Sequence, residues 1–313
     1  MKLKRPIIQF VALWIAAMAG AGDVWAQYDG MYSQYMFNGF IVNPAYAGSQ
    51  DVLNVTAMYK NQWAGVKEAP LSFVMSAHAP VGLSKVGVGI LFANDQVGIH
   101  RTNSFSLAGS YALSIAENAT LNFGLQGGIA ARRSAYASLS QDLQDPNDQL
   151  FYQSDYSTTE PQIGAGLYLY TPRFYVGFSV PNISISRQDN IYEGNLVSKK
   201  RHYFVTAGYM FDLSSQVKLQ PGLLIKAISG YGTYLDVNST IIIMDALWLG
   251  ASYRSVSSLN ALIQMQVTNH LRLGYAYDAP LAKNKSVSTA SHEILLSYYF
   301  TFDKRDVINP RYF

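Results

Sequence analysis

Residues 258–279 read SLNALIQMQVTNHLRLGYAYDA, two stretches in which apolar and polar side chains alternate and which meet at Asn269. Successive side chains of a β-strand point to opposite faces, so a period of two gives each strand one apolar and one polar face. Two such strands joined by a tight turn predict an antiparallel hairpin. The apolar faces consist of Leu259, Ala261, Ile263, Met265 and Val267, and then of Leu271, Leu273, Tyr275 and Tyr277.

The same alternation recurs along the chain and predicts fourteen strands. Most of the predicted strands have nine or more residues, the length that a tilted transmembrane strand needs, whereas strands of soluble proteins are most often five or six residues long. The polar faces carry Gly, Ser, Gln and isolated charges such as Lys226 and Arg272. Such residues suit the inside of a barrel and would be costly against lipid. The predicted strands are 52–60, 70–79, 85–94, 100–114, 119–133, 159–170, 173–183, 200–212, 216–228, 232–243, 246–254, 258–268, 270–279 and 290–302.

The connections alternate between short and long. Every second one is a tight turn, as at 116–118, 171–172 and 213–215, whereas the complementary set includes polar loops at 134–158, 184–199 and 280–289. Short periplasmic turns and longer extracellular loops are typical of outer-membrane barrels. We therefore predict an all-β fold, a transmembrane antiparallel β-barrel of about fourteen strands.

The composition agrees with a surface that meets lipid. Charged residues make up 14% of the chain, against roughly 25% in soluble domains, and the chain has 23 Tyr and no Cys. Residues 1–26, which form a predicted export signal described below, contain Lys2, Lys4, Arg5 and Asp23. Without them, 20 of the 23 basic and 19 of the 20 acidic residues remain. This balance argues against a nucleic-acid partner.

The first segment has the pattern of an export signal. Residues 1–26 combine a basic start, an apolar stretch and Val24-Trp25-Ala26, which predicts cleavage before Gln27; an uncleaved signal anchor is the alternative. No later run of 18 apolar residues exists, so no helical span is expected. We divide the rest into an N-terminal periplasmic or plug segment (27–50), the barrel (51–302) and a periplasmic tail (303–313).

The start of the predicted mature chain resembles a known family. Residues 33–38 read SQYMFN, residues 43–48 read NPAYAG, residues 61–63 read NQW, and the chain ends in NPRYF at 309–313. These motifs resemble the PorP/SprF family of the type IX secretion system of Bacteroidetes, over the whole mature chain. Gly39 departs from the family, whose members commonly carry a bulkier residue or Pro there.

The resemblance implies an integral outer-membrane barrel without catalytic activity or cofactor. Its implied partners are periplasmic type IX secretion components, outer-membrane lipid and secreted cargo with a C-terminal sorting domain, such as gliding adhesins. A diffusion pore or ligand-selective pore of the fatty-acid-transporter type is the alternative. The candidate partner-binding residues, taken from the motifs and from the outer loops, are Asn43, Pro44, Ala45, Tyr46, Ala47, Gly48, Asn61, Gln62, Trp63, Tyr152, Tyr156, Lys199, Lys200 and Arg201.

The N-terminal segment allows two interpretations. Pro44 restricts Asn43 to extended conformations, and Gly48 permits a turn. The segment is rich in aromatic residues, so it either folds into the barrel mouth and partly plugs it or packs under the barrel as a strap.

Catalytic and metal sites have weak support. His292 and Glu293 are neighbours on a strand and face opposite sides, so they cannot share a metal. We expect the five His residues at interfaces or turns, although a Ser/His/Asp site assembled from distant strands stays open. The acidic loop 134–158, with Asp142, Asp145, Asn147 and Asp148, lacks the EF-hand order. Residues 199–201 could meet lipopolysaccharide phosphates or an acidic cargo, or could form a solvated rim.

Overall fold

A computed structural model of the protein describes residues 31–82, 85–137, 155–184, 201–229, 232–255, 258–281 and 289–300. Its strands agree with the predicted positions to within about three residues, because the alternation of side chains marks each strand directly. They are β1 (Leu53–Asn61), β2 (Leu71–Pro80), β3 (Val86–Val97), β4 (His100–Ala116), β5 (Ala119–Ser134), β6 (Tyr156–Tyr170), β7 (Phe174–Ser184), β8 (His202–Tyr209), β9 (Phe211–Asp212), β10 (Val217–Ile228), β11 (Gly232–Ile243), β12 (Leu247–Arg254), β13 (Ser258–Gln266), β14 (Leu271–Pro280) and β15 (Ser291–Phe300).

The strands form one closed antiparallel barrel. From β1 to β8 and from β10 to β15 each strand pairs with the next one along the chain, β8 pairs with β10, and β1 pairs with β15 from Leu53 opposite Phe300 to Asn61 opposite His292. The short β9 continues the position of β8 after Met210, and both pair with β10. The wall therefore has fourteen strand positions, which confirms the predicted fold class.

The two faces of the wall differ as the alternation predicts. On β14, Leu273 and Tyr277 are exposed on the outside, whereas their neighbours Arg272 and Asp278 are buried inside. His292 and Glu293 on β15 likewise face opposite sides. The outside is thus a continuous apolar surface, and the inside is polar and filled rather than open to solvent.

The two rims of the barrel have different connections. The rim where β1 begins and β15 ends carries tight turns such as 117–118 and 244–246, and we call it the turn end. The opposite rim carries the connections 62–70, 135–155 and 281–290, and we call it the loop end. Among the described residues, no helix has the length and apolar character required to cross a membrane.

Candidate functional site

Residues 31–50, which we call the inner segment, lie inside the barrel. They form three short 3-10 turns, Tyr35–Phe37, Gly39–Ile41 and Pro44–Tyr46. Most of their side chains are buried against the inner face of the wall. The inner segment is therefore the feature that fills the centre of the barrel.

The NPAYAG motif sets the local path of the inner segment. Asn43 is extended, with φ −144° and ψ 113°, as the following Pro44 requires, and its side-chain oxygen accepts a hydrogen bond from the N–H of Ala45 at 2.9 Å. Gly48 has φ +71°, a conformation that favours glycine, and it turns the chain toward β1. Both features were predicted from the sequence.

A cluster of charges holds the first residues of the inner segment at the loop end. Lys60 Nζ lies 2.6 Å from Asp278 Oδ2 and 3.6 Å from Glu293 Oε2, and all three side chains are almost fully buried. Ser33 Oγ donates to Asp278 at 2.7 Å, while the backbone N–H groups of Ser33 and Gln34 donate to Glu293 at 2.7 and 2.9 Å. Lys60 and the three donors of the inner segment offset part of the cost of burying the two carboxyl groups.

A second ion pair lies beside this cluster. Arg254 Nε is 3.1 Å from Asp236 Oδ2, and the hydroxyl of Tyr35 is 3.3 Å from the other carboxylate oxygen of Asp236. Asn238 donates to the same hydroxyl at 2.7 Å. These contacts fix the Tyr35 ring, the largest side chain of the first 3-10 turn, against β11.

Further along, side chains of the wall bind the backbone of the inner segment. Ser179 Oγ and Ser110 Oγ donate to the carbonyls of Val42 and Ala47, each at 2.5 Å, and Asn122 Nδ2 donates to Ala45 O at 3.1 Å. Carbonyls buried inside a barrel need such partners because water is excluded. The polar inner face of the wall thus replaces water around the inner segment.

Glycines of the wall allow the inner segment to lie close to the wall's backbone. A Cβ at Gly124 would overlap the backbone of Pro44 and Ala45, one at Gly87 would overlap Ala47 O, and one at Gly89 would overlap the Phe40 ring. From the sequence, Gly87 and Gly89 within an alternating strand indicate either close packing or curvature. The structure identifies the inner segment as what packs there.

One small cavity lies between the inner segment and the wall. Its volume is about 20 Å³, and its lining includes Tyr35, Tyr46, Tyr168, Tyr175 and Thr206. This volume is enough for about one water molecule and far below that of a site for an organic ligand.

The predicted partner-binding residues fall into two groups. Asn43, Pro44, Ala45, Tyr46 and Ala47 are buried inside the barrel, with Gly48 partly buried at the turn end, so in this conformation they contact the wall. Their binding of a partner stays a prediction. The second group lies at the loop end and comprises Asn61, Gln62, Trp63, Tyr156 and Arg201.

The loop end brings some of the second group close to other strands. Trp63 N–H donates to Ser291 Oγ at 3.2 Å, which joins the connection between β1 and β2 to the start of β15. The Arg133 side chain and the Ala137 N–H bind Asp155 and thereby lower the pKa of this carboxyl group, so it is charged at neutral pH. Tyr152, Lys199, Lys200, the acidic residues at 142–148, the leader and the tail lie outside the described residues.

One of the histidines, His78, does not lie where we expected it from the sequence. His78 is not at an interface or turn but buried on the inner face of β2, where its ring contacts Phe40 and Tyr46 at centroid distances of 5.7 and 5.4 Å. The prediction for His78 was wrong because the inner segment turns this part of the inner face into a packed core. Among the described residues, no three His, Cys, Asp or Glu side chains form a group that could hold a metal ion.

Comparisons with known proteins identify a matching family and proteins of similar fold. A family model described as "Type IX secretion system membrane protein PorP/SprF" matches residues 24–298. No curated protein sequence matches. The fold is similar to the CymD monoaromatic hydrocarbon channel (TM-score 0.50, 12% identity, 91% of this chain and 96% of that one).

The fold is also similar to that of the deltaS2S3 mutant of the TodX monoaromatic hydrocarbon channel (TM-score 0.51, 10% identity, 91% of this chain and 98% of that one). At these identities the likeness concerns the barrel fold alone.

Proposed function

Since this chain belongs to the PorP/SprF family of type IX secretion system membrane proteins, we propose that it is a non-catalytic outer-membrane barrel that binds secreted cargo, and that its inner segment closes the lumen. The single observation that supports closure is the burial of the inner segment against the polar inner face. Export follows cleavage of residues 1–26 before Gln27, and residues 303–313 extend into the periplasm.

The proposed cargo carries a C-terminal sorting domain, as surface adhesins of gliding cells do. Binding takes place at the loop end, where Trp63, Tyr156 and Arg201 offer aromatic and basic side chains. Aromatic residues and Arg are the side chains most often responsible for affinity at protein interfaces. Periplasmic secretion components contact the turn end.

Closure is tested by recording currents from the purified protein in planar lipid bilayers. The full protein is expected to give no steady current, and deletion of residues 31–48 is expected to open a conducting lumen. The Glu117→Gln variant, which alters an exposed turn residue, serves as a control and stays closed. A steady current through the full protein would support the alternative of a diffusion pore and overturn closure.

Cargo binding is tested by affinity capture from detergent-solubilised outer membranes. Co-purification of a secreted protein with a sorting domain, or of secretion-core subunits, supports the proposal. Trp63→Ala is expected to reduce capture about tenfold, as the loss of one central aromatic contact does, whereas Glu117→Ala at the turn end leaves cargo capture unchanged. Equal capture by both variants would remove the loop end as the binding surface.

A further inference from the structure

Contacts along strand β1 show how deep each part of the inner segment lies in the barrel. β1 runs from the turn end at Leu53 to the loop end at Asn61, and Asn54, Met58 and Lys60 all face inward. Lys60 Nζ donates to the carbonyl of Met31 at 2.9 Å, Met58 contacts Asn38, and Asn54 donates to Gln50 at 2.7 Å. As the inner segment advances from 31 to 50, its partners on β1 descend from the loop end to the turn end.

Two other strands give the same direction. On β14, Ser33 binds Asp278 near the loop end, and Gln34 lies against Gly274, which is farther from that end. On β2, which descends toward the turn end, Asn38 binds Ser76 at 2.9 Å and Gly48 approaches Ala79. The depth of the inner segment is thus set by independent contacts on three strands.

The contacts extend along most of the length of a membrane-spanning strand. β1 has nine residues, the length of a tilted transmembrane strand, and the stretch from Asn54 to Lys60 covers six of its eight residue steps. The inner segment is therefore a translumenal chain and not a strap or a plug confined to one mouth.

The orientation of the barrel in the membrane then decides which end of the inner segment is extracellular and which is periplasmic. An even number of strand positions leaves the beginning of β1 and the end of β15 at one rim, and the turns at that rim are short, as on the periplasmic side of such barrels. We infer that the inner segment crosses the membrane inside the barrel, with Met31 at the extracellular opening and Gly48 at the periplasmic one.

This placement reverses the side expected for the N-terminal end of the chain. A segment that precedes a strand starting in the periplasm is expected to be periplasmic; here it turns back through the barrel before β1 begins. The buried charges of Lys60, Asp278 and Glu293 then close the extracellular opening around Ser33. The inference concerns topology and does not require the proposed cargo role.

Cysteine labelling on intact cells tests the placement, and the absence of native Cys makes each single variant unambiguous. Met31→Cys is compared with Lys67→Cys in the first outer loop and with Glu117→Cys in a tight turn, both exposed positions. A membrane-impermeant maleimide is expected to label Met31→Cys and Lys67→Cys on intact cells, and Glu117→Cys only after permeabilisation of the outer membrane.

Each contrary outcome overturns the inference. If Met31→Cys reacts only after permeabilisation, its end of the inner segment is periplasmic, and if it reacts only after denaturation, it does not reach the opening. If Lys67→Cys is protected and Glu117→Cys reacts on intact cells, the barrel has the opposite orientation. Folding of each variant is checked by the mobility of unheated and heated samples on gels. The outcomes for Met31→Cys leave the expected bilayer currents and cargo capture unchanged, whereas the opposite orientation would also move the proposed cargo surface to the periplasmic side.

Discussion

Gly124 and Gly127 lie three positions apart on β5 and face opposite sides of the wall. A Cβ at Gly124 would overlap the backbone of the inner segment, whereas no atom lies within 4 Å of a Cβ at Gly127. We expect Gly124→Ala to lower the free energy of unfolding by about 1–3 kcal/mol, a typical cost of overpacking. Gly127→Ala is expected to change it little. Denaturant unfolding in detergent measures both, and equal effects would contradict tight contact between β5 and the inner segment.

Buried and exposed ion pairs allow a second comparison between single residues. Asp278 binds Lys60 inside the barrel, whereas the Asp212–Arg173 pair has side chains that are 50% and 67% exposed. Asp278→Asn weakens the hydrogen bonds that Lys60 and Ser33 make to this carboxylate, although Glu293 still lies beside Lys60, and we expect a loss of about 1.5–3 kcal/mol.

Asp212→Asn is the matched control and should cost no more than about 1 kcal/mol. The midpoint of urea unfolding reports both changes. A small effect at Asp278 would mean that the charge cluster is hydrated and does not hold the inner segment.

At the scale of the strand, depth in the membrane decides the cost of a charge on the outer face. Leu125 lies near the middle of β5 and is 71% exposed, while Ile115 lies near the turn end of β4. We expect Leu125→Arg to lower stability in lipid vesicles by about 2–4 kcal/mol, and Ile115→Arg by about 0–1 kcal/mol. Equal costs at the two positions would mean that the apolar band does not follow the strands as described.

The strands were largely predictable from the sequence because their physical signal is local. An outward Leu or Tyr and an inward Gly or Gln alternate within each strand, so residues such as Leu273 and Arg272 reveal their faces without any knowledge of their partners. Tight turns at Glu117 and Asp245 likewise mark the strand ends. The number of strands and the pairing of neighbours follow from this pattern.

The path of the inner segment was not predictable in the same way. Its contacts join Ser33 to Asp278 and Tyr35 to Asp236, residues more than 200 positions apart, and no periodicity encodes such pairs. The sequence suggested either a plug or a strap for this segment. One indication was present: Gly87, Gly89 and Gly124 all fall on the polar face, where small residues leave space for another chain.

At the scale of the whole molecule, closure depends on the seam between β1 and β15. Thr56 and Ser297 are opposite each other across this seam, with hydroxyl oxygens 2.7 Å apart. Directly opposed residues of antiparallel strands have Cα separations within the range that a disulfide spans. The Thr56→Cys/Ser297→Cys variant is therefore expected to form a disulfide under oxidising conditions, detected as a shift in gel mobility that a reductant reverses.

The matched control is Thr56→Cys/Ser110→Cys, in which the second residue lies on β4, three strands away. No intramolecular disulfide is expected there. Failure of the seam pair to oxidise in the folded protein would indicate an open sheet.

The covalent link between the inner segment and β1 has a consequence for the order of assembly. A closed barrel has no lateral opening between its strands. β1, which directly follows the inner segment, is one of the two strands whose pairing closes the barrel. The inner segment therefore either is in position before β1 and β15 pair or enters lengthwise through the periplasmic opening. A compact group attached ahead of Met31 would have to reach the extracellular side by the same route, and only the first route lets it pass through a barrel that is still open.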